Sequence, residues 1–412
     1  MPTLMERVQL PLLFIFTLSF YCLRAESEGG FAISKVNQHC SAEERETLLD
    51  FKQSLSDPNL VLSNWDIDED CCTWKGVSCS NKTNRVIKLN FSVFQDLFYA
   101  ASLHPSFFRL RHLQYLCFNN ILFNQTRIPH SIGSLTKLRY LDLSHSGFAG
   151  EIPPHIGNLT KLRYLDLSYN SLVAYNLLWM SHLFSLQFVE MSNLNLTFAT
   201  NWLHEISVLP ALSTLHLSSC GLQTLPNLLP YSNFSSSIEL VDLSYNHLIG
   251  SFPNWSGQFI RLNELYLDSN FFTGPISFAS LSLLCDLNLG NNQFDGLIPH
   301  SLGQLSNLVT LDLGSNNLHG SLSESHFANL SQLINLQLSG NQLNFNLISP
   351  NWTPPFQIRY LYLSSCLVGP QFPLWLQNQK LLSVFDLSNC GITDIIPHSE
   401  LVLVGFGIYH LK

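Results

Sequence analysis

A frame of the form L-x-x-L-x-L-S-x-N-x-L returns thirteen times along this chain. Its first positions are Val86, Leu113, Leu138, Leu162, Leu186, Leu212, Ile238, Leu262, Leu284, Leu308, Leu333, Ile358 and Leu382, spaced 22 to 27 residues apart. A period in this range constrains the fold more than composition does. Each copy is one supersecondary unit, too short to bury an apolar face alone, so the copies must stack around a single continuous core. We number them coils 1 to 13. The composition agrees: 78 of 412 residues are Leu and 35 are Asn, while charged residues make up only 12%. A soluble domain usually carries about 25%. With so few charges and a formal net charge of −9, the chain is neither a disordered tail nor a nucleic-acid binder.

Each part of the frame has a physical reason. The L-x-L core is a short strand of period two, so Leu141 and Leu143 are expected to turn inward while Asp142 faces solvent. The ninth position holds Asn170, Asn246, Asn270, Asn292, Asn316 and Asn341, where an amide can bond backbone groups of adjoining coils. Cys220, Cys366 and Cys390 occupy the same position and are expected to be buried free thiols. Next comes L-x-G-x-I-P, as in Gly150-Glu151-Ile152-Pro153, where Gly permits a turn into a second extended segment that Pro limits. The I-G-x-L stretch (Ile132 to Leu135, Ile156 to Leu159, Leu302 to Leu305) supplies a short helical turn on the outer side. The expected fold is an α/β leucine-rich-repeat solenoid: a curved right-handed superhelix with short parallel strands on its concave face and helical turns outside.

The first residues set the compartment. Leu10–Leu23 is an apolar run of 14, followed by Ala25 and the polar Glu26-Ser27-Glu28. Residues 1–25 therefore read as a signal peptide, too short for a spanning helix, and Cys22 leaves with it. In an oxidising compartment Cys40, Cys71, Cys72 and Cys79 read as two disulfides. Adjacent Cys71 and Cys72 each take an outer partner. Two pairings remain, and Cys40–Cys71 with Cys72–Cys79 is favoured over the alternative. A zinc site is disfavoured because no His lies among the last three Cys. Nine sequons fit the same compartment: Asn81, Asn90, Asn124, Asn158, Asn195, Asn233, Asn254, Asn329 and Asn351. Ser41-Ala42-Glu43-Glu44 reads as a capping box opening a helix to about Leu55, and Trp65 and Trp74 are expected to cover the first coil. Residues 38–80 thus form an N-terminal cap and 86–397 the repeats. Residues 398–412 are a divergent tail without a C-terminal cap, in which Leu403, Phe406 and Ile408 are spaced for one last strand.

The block from Cys40 through Phe51, then Trp65, Cys71-Cys72-Thr73-Trp74 and Cys79, resembles the N-terminal cap of plant extracellular leucine-rich-repeat receptors, and L-x-G-x-I-P is the plant-type signature. Asn201-Trp202-Leu203-His204-Glu205, the stretch from Leu209 to Cys220, that from Trp352 to Cys366 and Phe372-Pro373-Leu374-Trp375 are similar to receptor-like proteins that perceive fungal xylanase elicitor. The resemblance covers roughly residues 38–397. It implies a cell-surface receptor with a long ectodomain, one membrane span and a short or kinase-bearing cytoplasmic part. The chain is accordingly expected to be the N-terminal portion of such an ectodomain, attached to a membrane only through a C-terminal part absent from it, and located in the secretory pathway, the apoplast or the outer face of the plasma membrane.

No H-E-x-x-H, no G-x-x-x-x-G-K-[ST] and no closely spaced ligand set occurs, so neither an enzyme nor a cofactor is expected. His130, His155, His300 and His398 all follow I-P or I-P-P and share a surface phase of the repeat. Ligand binding belongs instead to the outward strand positions. The fifth position gives Asp142, Asp166, Glu190, His216, Asp242, Tyr266, Asn288, Asp312, Gln337, Tyr362 and Asp386. The third gives Tyr140, Tyr164, Phe188, Thr214, Leu240, Glu264, Asp286, Thr310, Asn335, Tyr360 and Val384. Stacked, they form two columns: an acidic and aromatic face for a basic protein or peptide, with Tyr140, Tyr164 and Phe188 as anchors. The expected function is recognition of a microbial protein or peptide elicitor by a plant immune receptor, with a co-receptor kinase as a further partner. Two alternatives are a soluble inhibitor of a secreted fungal glycosidase, similar to the polygalacturonase inhibitors, and a developmental peptide-hormone receptor or co-receptor.

Overall fold

The computed structural model describes residues 40–225, 236–253, 258–278, 281–345 and 352–394, together with the backbone of a strand at Tyr409–His410. The signal segment, the sequons at Asn233, Asn254 and Asn351, His398 and the rest of the tail lie outside the described residues.

Positions three to five of every frame form a strand, from Lys88–Asn90 within Val86–Asn90 to Val384–Asp386, and these strands join one parallel sheet. Third positions pair with third positions: Tyr115 with Tyr140, Tyr140 with Tyr164, Tyr164 with Phe188, Phe188 with Thr214. Parallel neighbours need a return path, and each coil makes it within its own 22 to 27 residues. The return carries a second extended segment and a 3₁₀ turn. Ile249–Ser251, Phe271–Gly274, Gln293–Gly296, Asn317–Leu322 and Gln342–Phe345 form a second parallel sheet, and Ala149–Glu151 pairs with Ser171–Val173. The outer turns run at His130–Ser134, Pro154–Asn158 and His300–Gln304. They pack so closely that a Cβ on Gly133, Gly157 or Gly303 would lie 2.4, 2.3 or 2.4 Å from a carbonyl oxygen of the next coil. That contact explains Gly in I-G-x-L.

Between the two sheets the frame leucines are fully buried; Leu138, Leu141, Leu162, Leu165, Leu308 and Leu311 are all 0% exposed. Fully burying such a side chain is worth about 1.5–3 kcal/mol. Polar closure of the coil falls to the ninth position. The Asn170 amide donates to the carbonyls of Leu143 (2.7 Å), Leu167 (2.8 Å) and Ser168 (3.1 Å), and its oxygen accepts from Phe148 N–H at 2.9 Å. Asn246, Asn270, Asn292 and Asn316 repeat the pattern. Cys220, Cys366 and Cys390 donate instead to the carbonyls of Met191, Leu338 and Leu363 and remain free thiols. Position eight, unremarkable in sequence, lies in the left-handed region: His145, Tyr169, Asn193, Ser219, Tyr245, Ser269, Asn291, Ser315, Ser365 and Asn389 have φ of 52 to 65°. Such a residue costs of order 1–3 kcal/mol unless its surroundings enforce it. Here each of several N–H groups donates to the next coil, as His145 does to Ser168 and Tyr169 to Ser192.

The cap opens on helix α1, Ala42–Ser54. The capping box read from Ser41 and Glu44 does not form, since no side-chain cap bond is made. Glu44 is 3% exposed and accepts from Val86 N–H at 3.0 Å, with Arg85 4.0 Å and His112 3.8 Å away. The first coil has no preceding coil to satisfy that N–H, and a buried unpaired donor is costly, so the carboxylate crosses to it. Val77–Cys79 pairs antiparallel with Val86–Asn90 and covers the sheet edge. Trp65 and Trp74 stack at 5.3 Å, with Trp65 5.9 Å from Phe91 of coil 1, so they do cover the first coil. Cys40–Cys71 and Cys72–Cys79 are the disulfides.

Candidate functional site

Parallel strands lie about 4.8 Å apart, so planar rings at one register position must stack. The third-position rings do. Tyr115 and Tyr140 are 4.1 Å apart at 7°, Tyr140 and Tyr164 4.2 Å at 7°, and Tyr164 and Phe188 4.4 Å at 6°. Lys88 Nζ caps one end, 4.7 Å from the Tyr115 ring, and the His216 ring meets the other at 5.7 Å and 50°. The result is a half-buried aromatic rib across coils 2 to 5. Its ring faces are engaged within the stack, and its rims are what it presents. Tyr115 is the third position of coil 2, one coil before the columns listed from the sequence, and the frame itself places it.

The acidic column is corrected. Asp142, Asp166, Glu190 and Asp242 are 4%, 3%, 9% and 5% exposed and do not form an outward charged surface. Each turns to the serine two residues on. Asp142 Oδ1 accepts from Ser144 N–H (3.0 Å) and Oγ (2.7 Å), Asp166 from Ser168 (2.9 and 2.7 Å), and Asp242 from Ser244 (2.9 and 2.6 Å). Glu190 accepts from Ser192 N–H at 2.8 Å. In coil 2 Cys117 takes the position and its thiol donates to Asp142 at 3.3 Å. D-x-S is therefore a device that ends the strand. Burial raises the carboxyl groups of Asp142, Asp166 and Glu190, Asp166 further through the neighbouring Asp142 and Glu190.

His216 sits at the junction, Nδ1 3.5 Å from Asp242 and 3.8 Å from Glu190. Burial opposes its charge, yet the flanking carboxylates raise its pKa above the usual histidine range. Tyr266 follows Asp242 in register and donates to Glu264 at 2.9 Å. Farther along, burial first and neighbouring carboxylates second push Asp268 and Asp286 to about 7, while burial alone lifts Asp312 to about 6. The face thus joins Tyr140, Tyr164, Phe188, Glu190, His216, Asp242 and Tyr266. Tyr360 and Tyr362 stand apart on coil 12, with the Arg359 guanidinium 5.5 Å from the Tyr360 ring.

Of the described sequons, Asn81, Asn124, Asn158, Asn195 and Asn329 are exposed, Asn158 on an outer turn. Asn90 is corrected: it is 7% exposed at the end of a sheet strand, and its oxygen accepts from Ser92 N–H and Oγ at 3.0 and 2.8 Å.

A family model described as a leucine rich repeat N-terminal domain matches residues 41–80, and leucine rich repeat models match 137–159 and 260–318. Receptor-like protein EIX1 of Solanum lycopersicum is 32% identical over 93% of this chain and 53% of its own length. This chain is a plant leucine-rich-repeat receptor-like protein. Receptor-like protein EIX2 of the same plant is 30% identical with the same coverage, so the chain spans about half the length of these curated relatives. Among solved structures, the ectodomain of the receptor kinase GASSHO1/SCHENGEN3 from Arabidopsis thaliana, in complex with CASPARIAN STRIP INTEGRITY FACTOR 2, is 28% identical. It has a TM-score of 0.70 over 89% of this chain and 47% of that one. The structure of PEPR1–AtPEP1 is 26% identical, with a TM-score of 0.63 over 84% and 49%. Among the described residues no helix is long and apolar enough to cross a membrane.

Proposed function

We propose that this chain is the ligand-recognition part of a plant cell-surface immune receptor, taking a microbial protein elicitor on the face of the long sheet. The aromatic rib carries this reading. Tyr115, Tyr140, Tyr164 and Phe188 are stacked at 4.1–4.4 Å, so each ring is held in place before any ligand arrives. Pre-ordered aromatic side chains lose little entropy on binding and are the residues most often found dominating interfaces. The neighbours solved with CASPARIAN STRIP INTEGRITY FACTOR 2 and AtPEP1 support a polypeptide ligand, and the likeness to EIX1 and EIX2 supports a receptor-like role. The buried acidic column removes the case for a basic ligand at coils 3 to 5.

The test uses the secreted chain with purified fungal endoxylanase, the elicitor class that the sequence resemblance implies. Native protein binds in a surface-plasmon-resonance assay. Tyr140→Ala, Tyr164→Ala and Phe188→Ala combined weaken binding at least about 100-fold, a loss of about 2.8 kcal/mol, at unchanged secretion. Equal binding by both proteins removes the rib from the site. Absence of binding by the native chain removes the xylanase.

A further inference from the structure

Charge is unevenly distributed along the coils. Residues 85–163 hold nine Lys and Arg against three Asp and Glu, whereas residues 164–394 hold three against thirteen. The fold collects the first group on one edge. Arg139 and Arg163 are the second frame positions of coils 3 and 4, at the entry to the strands, and their backbones are in line: Arg163 N–H donates to Arg139 O and Arg139 N–H to Gln114 O, each at 2.8 Å. Lys137 and Lys161 precede them by two residues; in coil 2 His112 holds the position of Lys137, and Arg111 lies one residue before it. All five side chains are exposed. Among the described residues none of them has a carboxylate within 4.0 Å. Asp142 and Asp166, in the same coils, are buried and occupied by serines. The cations are also near enough to be felt by a neighbour: burial, then Lys137 and Arg85, hold His112 below its usual range. Past coil 4 the ledge ends, and Gln187, Ser213 and Glu239 take the second position.

We propose that this ledge is a binding site for a linear uronate polysaccharide, a polyanion carrying one carboxylate per sugar ring. It borders the aromatic rib, Arg139 and Arg163 being next to Tyr140 and Tyr164 in sequence, but does not depend on the protein-ligand reading. Unpaired, exposed cations recurring once or twice per strand, at about 4.8 Å, demand a ligand whose charges recur at that spacing. A sugar ring is of the same order in length, so a chain lying along the ledge sets about one ring opposite each coil, and rotation about its glycosidic bonds lets a carboxylate turn toward the cations. An extended acidic peptide fits poorly, because side chains on one of its faces recur only every ~6.6–6.8 Å. Arg139 and Arg163 supply planar forks for carboxylates, and Lys137 and Lys161 supply point charges beside them.

The test measures binding of the secreted chain to fully de-esterified polygalacturonate oligomers of defined length. Affinity is expected to rise with length until about three rings, one per basic coil, and to fall steeply with added salt. Lys137→Gln, Arg139→Gln, Lys161→Gln and Arg163→Gln combined reduce it about tenfold or more. Arg359→Gln with Lys380→Gln, far along the solenoid, leaves it unchanged, and Lys137→Arg with Lys161→Arg preserves it. Circular dichroism and secretion yield establish that the quadruple variant is folded. Equal binding of methyl-esterified oligomers, which lack the charge, overturns the proposal. So does unchanged binding by the folded quadruple variant. Tighter binding of poly-glutamate than of uronate assigns the ledge to an acidic peptide and overturns it as well.

Discussion

At the scale of single residues, the ninth frame position concentrates more polar contact than any other. Asn246 donates to the carbonyls of Leu217, Leu243 and Ser244 and accepts from the N–H groups of Cys220 and Leu222. Asn246→Ala strands several of these groups out of reach of water. The expected loss is about 1–3 kcal/mol, seen as a lower urea midpoint at constant slope. Asn246→Cys is expected to fall between, because a thiol reproduces the donor but not the acceptor. The native cysteines already do this. Burial pushes the Cys220 and Cys366 thiols up to about 12 and that of Cys390 up to about 11, so they stay protonated and donate. A thiol reagent should leave all three unmodified until the protein unfolds. Both roles were legible in the sequence, since a ladder position must hold a small inward donor whatever its neighbours.

Elements were legible where the period dictates them and obscure where two coils meet. The outer turn carries Gly because the next coil's carbonyl leaves no room for a Cβ, and the sequence shows the Gly without showing the carbonyl. Gly157→Ala sets a methyl 2.3 Å from Trp179 O, forcing coils 3 and 4 apart. Gly296→Ala meets nothing closer than 3.7 Å and suffers only its φ of 83°, worth about 1–2 kcal/mol. The first is expected to be the more destabilising in urea titration. Equal effects would show that backbone conformation, and not coil packing, selects Gly in I-G-x-L. The helix of the cap teaches the same lesson in reverse. Ser41 and Glu44 have the spacing of a capping box, and local sequence offers no hint that Val86, 42 residues on, competes for the carboxylate.

Across the whole molecule, carboxyl groups buried on successive coils make stability depend on pH. Asp268 and Asp286 titrate at about 7 and Asp312 at about 6 in the folded chain, against about 3.9 unfolded. Between those values the folded state binds protons that the unfolded state has lost, so stability falls as pH rises through this window. His216, also raised, acts in the same direction, while His112, His145 and His326, held low by burial, oppose it. The carboxylates are the more numerous, and the thermal midpoint is expected to be higher at pH 5 than at pH 8. Asp286→Asn should shrink the difference, and a midpoint that rises toward pH 8 would contradict it. By itself, the sequence determined the period, the stacking, the strand and turn positions, the inward leucines, the ladder amides and thiols, and a choice of two cysteine pairings. These follow from relations within one coil. Only the tertiary structure decided that Asp142, Asp166, Glu190 and Asp242 are interior, that the rings spend their faces on one another, that Asn90 is buried and that five cations share an unpaired edge. Those properties depend on how deep a side chain sits and which groups of the adjoining coil need partners, and a repeat frame states the alignment of neighbours but not the depth between them.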